Sequence, residues 1–123
     1  MIVWKFGDFE TQIDFTDADF MRKMNDAYQN LLEESKRVPK TGMIYDIMEA
    51  QCTIYDNFFN YIFGPGTSEK MYGKSKSVAL RLQSADSLNE IREHQDKEMV
   101  QMYMKYLPQN RAQRRNNHKK GKR

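Results

Sequence analysis

Apolar residues follow two different periods along the chain, and the change lies near residue 16. Residues 2–15 place β-branched and aromatic residues on both sides of Gly7-Asp8, a pattern typical of two short strands. A two-residue loop with glycine first favours a type II′ turn, because glycine tolerates a positive φ. The pattern predicts a β-hairpin in which residues 2–6 pair with residues 9–14. A hairpin of this size needs helices to pack against.

The helical period begins after Thr16, which we predict to be the N-cap of a first helix that extends to about Arg37. Asp17 and Asp19 in the first turn suit the positive end of the helix dipole. Pro39 then interrupts the pattern. The apolar side chains that recur at helical spacing define one face of this helix: Phe20, Met24, Ala27, Tyr28 and Leu31.

A second helix is predicted from about residue 42 to residue 63, with a broad apolar face. Tyr45, Phe59 and Tyr61 add more aromatic surface than one stripe of a helix can bury. Two interpretations remain open. The helix is central and contacted from several sides, or part of its surface binds a partner, since large exposed apolar patches often mark such sites.

The segment FGPGTSEKMYG, residues 63–73, separates this helix from the last one. Gly64 can adopt the left-handed conformation that closes a helix, and the proline after it cannot continue one. A short helical turn capped by Thr67 or Ser68 and stopped by Gly73 is expected between them. The segment is therefore predicted to be a structural joint.

The last helix is predicted to begin near residues 75–77 and to end near residue 107, before Pro108. A break near residues 84–87 is an alternative to one continuous helix. Between residues 89 and 98 only Ile91 is strongly apolar, and the sequence MVQMYMKYL follows. This pattern indicates that the end of the helix offers apolar side chains, Met102 and Tyr103 among them, to a partner.

Gly73-Lys74-Ser75 is also how a nucleotide-binding P-loop ends. The complete motif needs a glycine five positions before Gly73, where this chain has Ser68, and it needs a strand before the loop, where this chain has a helical pattern. Motif and context both fail, so nucleotide binding is disfavoured and no cofactor is expected.

Catalytic patterns are sparse elsewhere. Glu90 and His94 lie four residues apart, a spacing that some metal sites use, but no second histidine or cysteine is close enough to complete a site. The single cysteine, Cys52, excludes an internal disulfide and is expected to be a small packing residue. These observations predict a protein that is not an enzyme and that binds no metal.

Charge is distributed unevenly along the chain. The formal net charge is +3, yet residues 109–123 carry seven basic residues and no acidic one, which leaves thirteen basic against seventeen acidic residues before them. The segment also lacks large apolar residues, so we predict a disordered basic tail. Its basic residues are Arg111, Arg114, Arg115, Lys119, Lys120, Lys122 and Arg123.

This tail supports several interpretations. It could bind nucleic acid non-specifically and in a salt-dependent way, because it has charge but no aromatic residue for base stacking. It could equally attract an acidic protein partner or keep the protein soluble. No membrane span and no signal peptide are evident, so the expected location is the cytoplasm. The predicted fold is mainly α with a short N-terminal β-hairpin (α+β), with a helical domain at 1–108 and the tail at 109–123.

The hairpin, the helix entry IDFTDADF, the aromatic-rich helices and IFGPGTSEKMYG together resemble the small tail assembly chaperones of long-tailed bacteriophages and prophages. A phrase similar to FGxGTxEKxFG lies between the second and the last helix in that group, and NRAQRR near the end is similar to the tails of small phage assembly proteins. The matching positions of the motif are Phe63, Gly64, Gly66, Thr67, Glu69, Lys70 and Gly73.

The resemblance implies a non-enzymatic helper in the host bacterial cytoplasm. Members of that group coat the tape-measure protein, keep its apolar helices soluble and recruit tail-tube subunits. Self-association along a long client would add avidity. The candidate partner-binding residues are Tyr45, Phe59, Tyr61, Met102 and Tyr103. The alternative is an accessory protein that binds nucleic acid through its basic tail.

Overall fold

The computed structural model describes residues 2–106, and these form a β-hairpin followed by four helices. The predicted fold class, mainly α with an N-terminal hairpin, is confirmed. The elements are β1 (Ile2–Phe6), β2 (Phe9–Ile13), α1 (Ala18–Ser35), α2 (Ile44–Phe63), α3 (Thr67–Tyr72) and α4 (Val78–Tyr106). The predicted basic tail and the predicted domain boundary after residue 108 lie outside the described residues.

Contacts divide the chain into two compact units, and the division falls after Glu90. The first unit contains the hairpin, α1 to α3 and the beginning of α4, and the second contains the rest of α4. Within residues 2–106, none of the helices combines the length and the apolar composition that a membrane span requires.

The two strands pair antiparallel from Ile2 opposite Ile13 to Phe6 opposite Phe9, as predicted. Gly7 has a φ of 61°, and all residues with positive φ in the described part of the chain are glycines. Positive φ at the first central residue alone is the signature of a type II′ turn, which agrees with the prediction. Alternation along β1 turns Trp4 toward the helices and leaves Lys5 exposed.

Trp4 joins the hairpin to two helices. Its ring stacks on those of Phe59 and Phe63 in α2, with centroid distances of 5.7 and 5.6 Å. Its indole Nε1 donates a hydrogen bond to Ser87 Oγ in α4 at 3.1 Å. Only 3% of Trp4 is exposed. Without Ser87, the indole N–H would therefore be buried with no hydrogen-bond partner.

The hairpin turn lies directly on α3. The backbone N–H of Asp8 donates to the carbonyl oxygen of Lys70 at 3.0 Å. A Cβ atom at position 7 would lie 2.2 Å from the carbonyl oxygen of Met71, closer than any real Cβ contact. Gly7 is therefore required twice, for its positive φ and for the close approach of the two backbones.

The first helix begins one residue later than predicted. Asp17 is the N-cap, and its carboxylate accepts from the backbone N–H of Phe20 at 2.9 Å. Thr16 instead donates its backbone N–H to the carboxylate of Asp14 at 2.9 Å, in a local turn before the helix. The Thr16 prediction is wrong because Asp17 is the N-cap and Thr16 is held by Asp14 in the turn before the helix.

The last helix is continuous, so the alternative with a break near residues 84–87 is wrong. Ser84 is buried and its hydroxyl lies within hydrogen-bond distance of two oxygens, the Arg81 carbonyl at 2.7 Å and the Tyr72 hydroxyl at 2.5 Å. Ser87 accepts from Trp4. The serines therefore serve as packing and hydrogen-bonding positions inside one helix.

Replacing Gly7 with alanine is expected to destabilise the fold more than replacing Gly73 does. Both glycines have nearly the same φ, 61° and 62°, so either alanine costs about 1–3 kcal/mol in backbone strain. Nothing lies within 4 Å of a Cβ at Gly73, whereas the methyl group of Gly7→Ala meets the Met71 carbonyl. Urea unfolding of the two variants measures the difference, and equal losses of unfolding free energy would contradict the close approach.

Candidate partner-binding site

The sequence motif at residues 63–73 forms the connection between α2 and α3. Gly64 ends α2 with a φ of 109°, and its N–H donates to the carbonyl oxygen of Asn60 at 2.9 Å. Asn60 Oδ1 in turn accepts from the backbone N–H of Ser68 at 2.9 Å. The N-cap of α3 is Gly66 in the left-handed conformation, so the prediction that Thr67 or Ser68 caps this turn is wrong.

Two side chains of the motif hold the surrounding elements together. The Thr67 hydroxyl donates to the Gly64 carbonyl oxygen at 2.7 Å, which closes the loop on itself. The Phe63 ring contacts those of Trp4, Phe9 and Phe20 from both strands and α1. The motif residues at 69 and 70 are exposed at the surface. These contacts give the motif a structural role that reaches from the hairpin to α1.

An open pocket of about 710 Å³ lies beside residues 73–75, the Gly-Lys-Ser segment. The residue before this segment belongs to α3, so a helix stands where a P-loop needs a strand. Acidic and basic side chains are balanced around the pocket. The acidic residues are Glu49, Asp56 and Glu69, and the basic residues are Lys74, Lys76 and Arg81.

Much of this charge is already used within the protein. Arg81 is buried and donates from Nε and Nη2 to both carboxylate oxygens of Asp56, at 3.1 and 3.2 Å. Its Nη1 donates to the carbonyl oxygen of Ser75 at 2.7 Å. The guanidinium also lies 4.1 Å from the centroid of the Tyr72 ring. The pair therefore fastens the start of α4 to α2 and α3.

Cys52 lies in the lining of this pocket but has no feature of a reactive thiol. It is buried, and burial raises the pKa of the thiol above its ordinary value. Its Sγ donates to the carbonyl oxygen of Lys76 at 3.3 Å. Lys76 itself donates to Glu49 at 2.7 Å across the pocket, and this contact raises the pKa of the lysine. The arrangement supports packing rather than nucleophilic chemistry.

The candidate metal pair does not come together with further ligands. His94 Nε2 lies 3.3 Å from Glu98 Oε1, one turn further along α4, in an exposed pair. Within residues 2–106, no three side chains of His, Cys, Asp or Glu are grouped closely enough to hold a metal ion. The described part of the chain therefore offers no metal centre.

A second cavity has a different chemistry. It is an open groove of about 580 Å³ between the end of α1, the first half of α2 and the start of α4. We name it the α1–α2–α4 groove. Its lining is mainly apolar and consists of Ser35, Val38, Pro39, Lys40, Ile47, Gln51, Ile54, Tyr55, Val78 and Leu82.

Exposed apolar side chains lie at the beginning of α2, close in sequence to residues that line this groove. Met43, Ile44 and Met48 are all exposed, so part of the broad apolar face predicted for this helix is not covered in the described part of the chain. Leu82 is 46% exposed in the lining of the groove. The sequence left open whether this surface is packed or exposed, because a period of 3.6 identifies an apolar face but not whether another element covers it.

Four of the five predicted partner-binding residues are exposed. Tyr45 and Tyr61 are on α2, and Met102 and Tyr103 are on α4. Phe59 is the exception and the prediction for it is wrong. It is fully buried, at 0% exposure, because Trp4 stacks on one side of its ring and Phe58 and Tyr72 pack edge-on against it.

Tyr72 should make stability sensitive to alkaline pH. Burial raises its pKa to about 12 from an ordinary value of 10.0. The buried phenol therefore stabilises the fold fully below pH 10, and this contribution is lost as the pH rises to 12, because the unfolded chain ionises first. After allowance for solvent screening, the shift corresponds to about 1–2 kcal/mol.

The measurement is the unfolding free energy in urea at about pH 9 and about pH 11.5, on either side of the ordinary tyrosine pKa, for the wild type and two variants. Tyr72→Phe should remove most of the alkaline loss, and Tyr45→Phe, at an exposed position, should keep it. A Tyr72→Phe variant with the wild-type pH dependence would contradict the burial of the ionisable group.

Comparison with curated proteins and with solved structures found no match. A protein-family model matches residues 7–118, which is most of the chain. The matched region begins in the hairpin turn and includes α1 to α4 and the motif at residues 63–73. The chain therefore belongs to DUF6673, a family of unknown function.

Proposed function

We propose that this protein is a non-enzymatic phage tail assembly chaperone that holds apolar helical segments of a tape-measure protein in the α1–α2–α4 groove. The observation that carries the proposal is this apolar groove together with the exposed Met43, Ile44 and Met48 beside it in sequence. The resemblance of the motif at residues 63–73 to tail assembly chaperones supplies the class of client.

An amphipathic helix binds a groove through side chains spaced by three and four residues. The α1–α2–α4 groove has the apolar character for such a contact, with Ile47 and Ile54 from α2 and Leu82 from α4 in its lining. Methionine side chains at Met43 and Met48 can adapt to different client residues, because they are flexible and polarisable. This combination suits a long client with many similar but non-identical segments.

Recruitment of tail-tube subunits needs a second surface that stays accessible when the groove is occupied. Tyr61 is the candidate for this surface, because it is exposed and lines a small cleft of about 90 Å³ between α1 and α2 that shares only Ile54 with the lining of the groove. Ala27 and Phe58 lie deeper in the same cleft. We assign the tail-tube contact to this surface.

The seven basic residues of positions 109–123 are proposed to assist and not to carry the binding. Long-range attraction accelerates encounter with an acidic partner and makes the association sensitive to salt. The proposed location is the cytoplasm of the host bacterium, where tail proteins are synthesised.

The groove can be tested with two leucine-to-lysine variants. Leu82→Lys places a charge in the groove lining, and Leu32→Lys places one on α1 outside it. The two leucines are 46% and 57% exposed, so neither lysine is forced into the core. On co-expression with the tape-measure protein, Leu82→Lys should lose most of the soluble client, and Leu32→Lys should keep the wild-type amount.

Truncation after Leu107 separates the groove from the basic segment. The truncated chain should retain most of the client-solubilising activity but show less sensitivity to salt. The proposal is wrong if truncation alone abolishes the activity while Leu82→Lys preserves it. Tight RNA binding at physiological salt without client binding would favour the nucleic-acid accessory function instead.

A further inference from the structure

The last two turns of α4 are apolar around most of their circumference. At 100° per residue, the apolar positions between Met99 and Tyr106 span roughly 200° of the helix, and Gln101 and Lys105 occupy the remaining side. An apolar arc of this width is typical of a buried helix. Its exposed members are Val100, Met102, Tyr103, Met104 and Tyr106. We name these turns, residues 99–106, the α4 end.

Each copy of the chain also carries an apolar concave surface that could receive such a helix, the α1–α2–α4 groove of about 580 Å³. Leu82, at 46% exposure, shows that the groove is open to a side chain from outside. A convex apolar helix and an open apolar groove are the two halves of a helix-in-groove contact. Both halves are present in every copy and therefore at equal concentration.

The overall charge distribution favours the approach of two copies. Residues 99–123 contain eight basic residues and no acidic one. The acidic residues Glu49 and Asp56 of α2 line the other pocket, where basic side chains already pair with them, so they give the groove itself no negative charge. Lys40 in the lining opposes the attraction locally. The first 98 residues as a whole have seventeen acidic against twelve basic residues, so a basic helix end is attracted to the body of another copy.

We propose that the α4 end of one copy binds in the α1–α2–α4 groove of a second copy, and that the contact is reciprocal. A two-fold pair buries the same contact twice. This doubling brings the interface closer to the roughly 1,000 Å² that a specific dimer needs. The α4 end and the proposed client would compete for the same groove, so a client would have to displace the α4 end. The inference itself does not depend on the identity of any client.

Pairing of two α4 ends with each other is the main alternative. Eight residues extend for only about 12 Å along a helix, which is about two turns. Helical pairs this short are marginal in water without other contacts. A groove formed by three elements offers the α4 end more surface than another helix of the same length.

Sedimentation equilibrium of the full chain tests association. The chain mass is 14.7 kDa, and the apparent mass should approach twice this value at high concentration and fall on dilution. Leu82→Glu in the groove and Tyr103→Lys on the α4 end should each weaken the dimer by about tenfold or more, because each buries an unpaired charge.

A mixture of these two variants distinguishes the groove from other contacts. In the mixed pair, the introduced glutamate of one copy would face the introduced lysine of the other in one contact. The second contact would be entirely wild type in its groove and α4 end. Mixing Leu82→Glu with Tyr103→Lys should therefore restore a dimer that is weakened in each variant alone. Pairing between α4 ends predicts that Leu82→Glu dimerises normally and that mixing restores nothing.

Leu32→Glu is the matched control, since Leu32 is exposed on α1 outside the groove lining. It should dimerise like the wild type, and circular dichroism should show that all variants remain helical. A wild-type chain that is monomeric at all accessible concentrations would overturn the proposal. Unchanged association of Leu82→Glu or of Tyr103→Lys, or a failure of the mixture to recover the dimer, would overturn it as well.

Discussion

The absence of a side chain at residue 7 is the constraint on which the first unit depends. It lets the hairpin turn lie against the carbonyl oxygen of Met71 while Asp8 donates to Lys70. With the turn in this place, the inward face of β1 brings Trp4 onto Phe59 and Phe63. The hairpin is therefore positioned on α2 and α3 by a close backbone contact between its turn and the helix α3, which is far away in sequence.

The groove follows from the way α4 begins. Arg81 turns inward to Asp56 and to the Tyr72 ring, and this fixes the rotation of the helix about its axis. The next residue, Leu82, then lies in the lining of the α1–α2–α4 groove. A buried ion pair of this kind adds little net stability, because desolvation offsets attraction, but it specifies one orientation of the helix.

Local sequence signals were sufficient for the elements but not for the contacts between them. The Gly7-Asp8 turn, the end of α2 at Gly64 and the stop at Gly73 follow from backbone conformations that glycine alone adopts easily. The sequence could not show that Phe59 is buried, because its burial results from packing against Trp4, which is distant in sequence.

The exposure of Ile44 and Met48 could not be predicted either, because it depends on the fact that no other element covers their side of α2 in the described part of the chain. The choice of Asp17 over Thr16 as the N-cap was hidden, because both of these neighbouring residues can act as caps. Sequence patterns therefore identify which residue types can fill a role, and the tertiary contacts decide which residue does.

Trp4 is the single tryptophan of the chain, and it is the residue at which β1, α2 and α4 meet. Its intrinsic fluorescence is consequently a built-in optical reporter of hairpin docking, with no competing indole signal. Water that reaches the indole after the hairpin separates would shift the emission to longer wavelength, while the helices could still give their circular dichroism signal. The protein thus carries a label-free probe that can resolve detachment of the hairpin from loss of the helices.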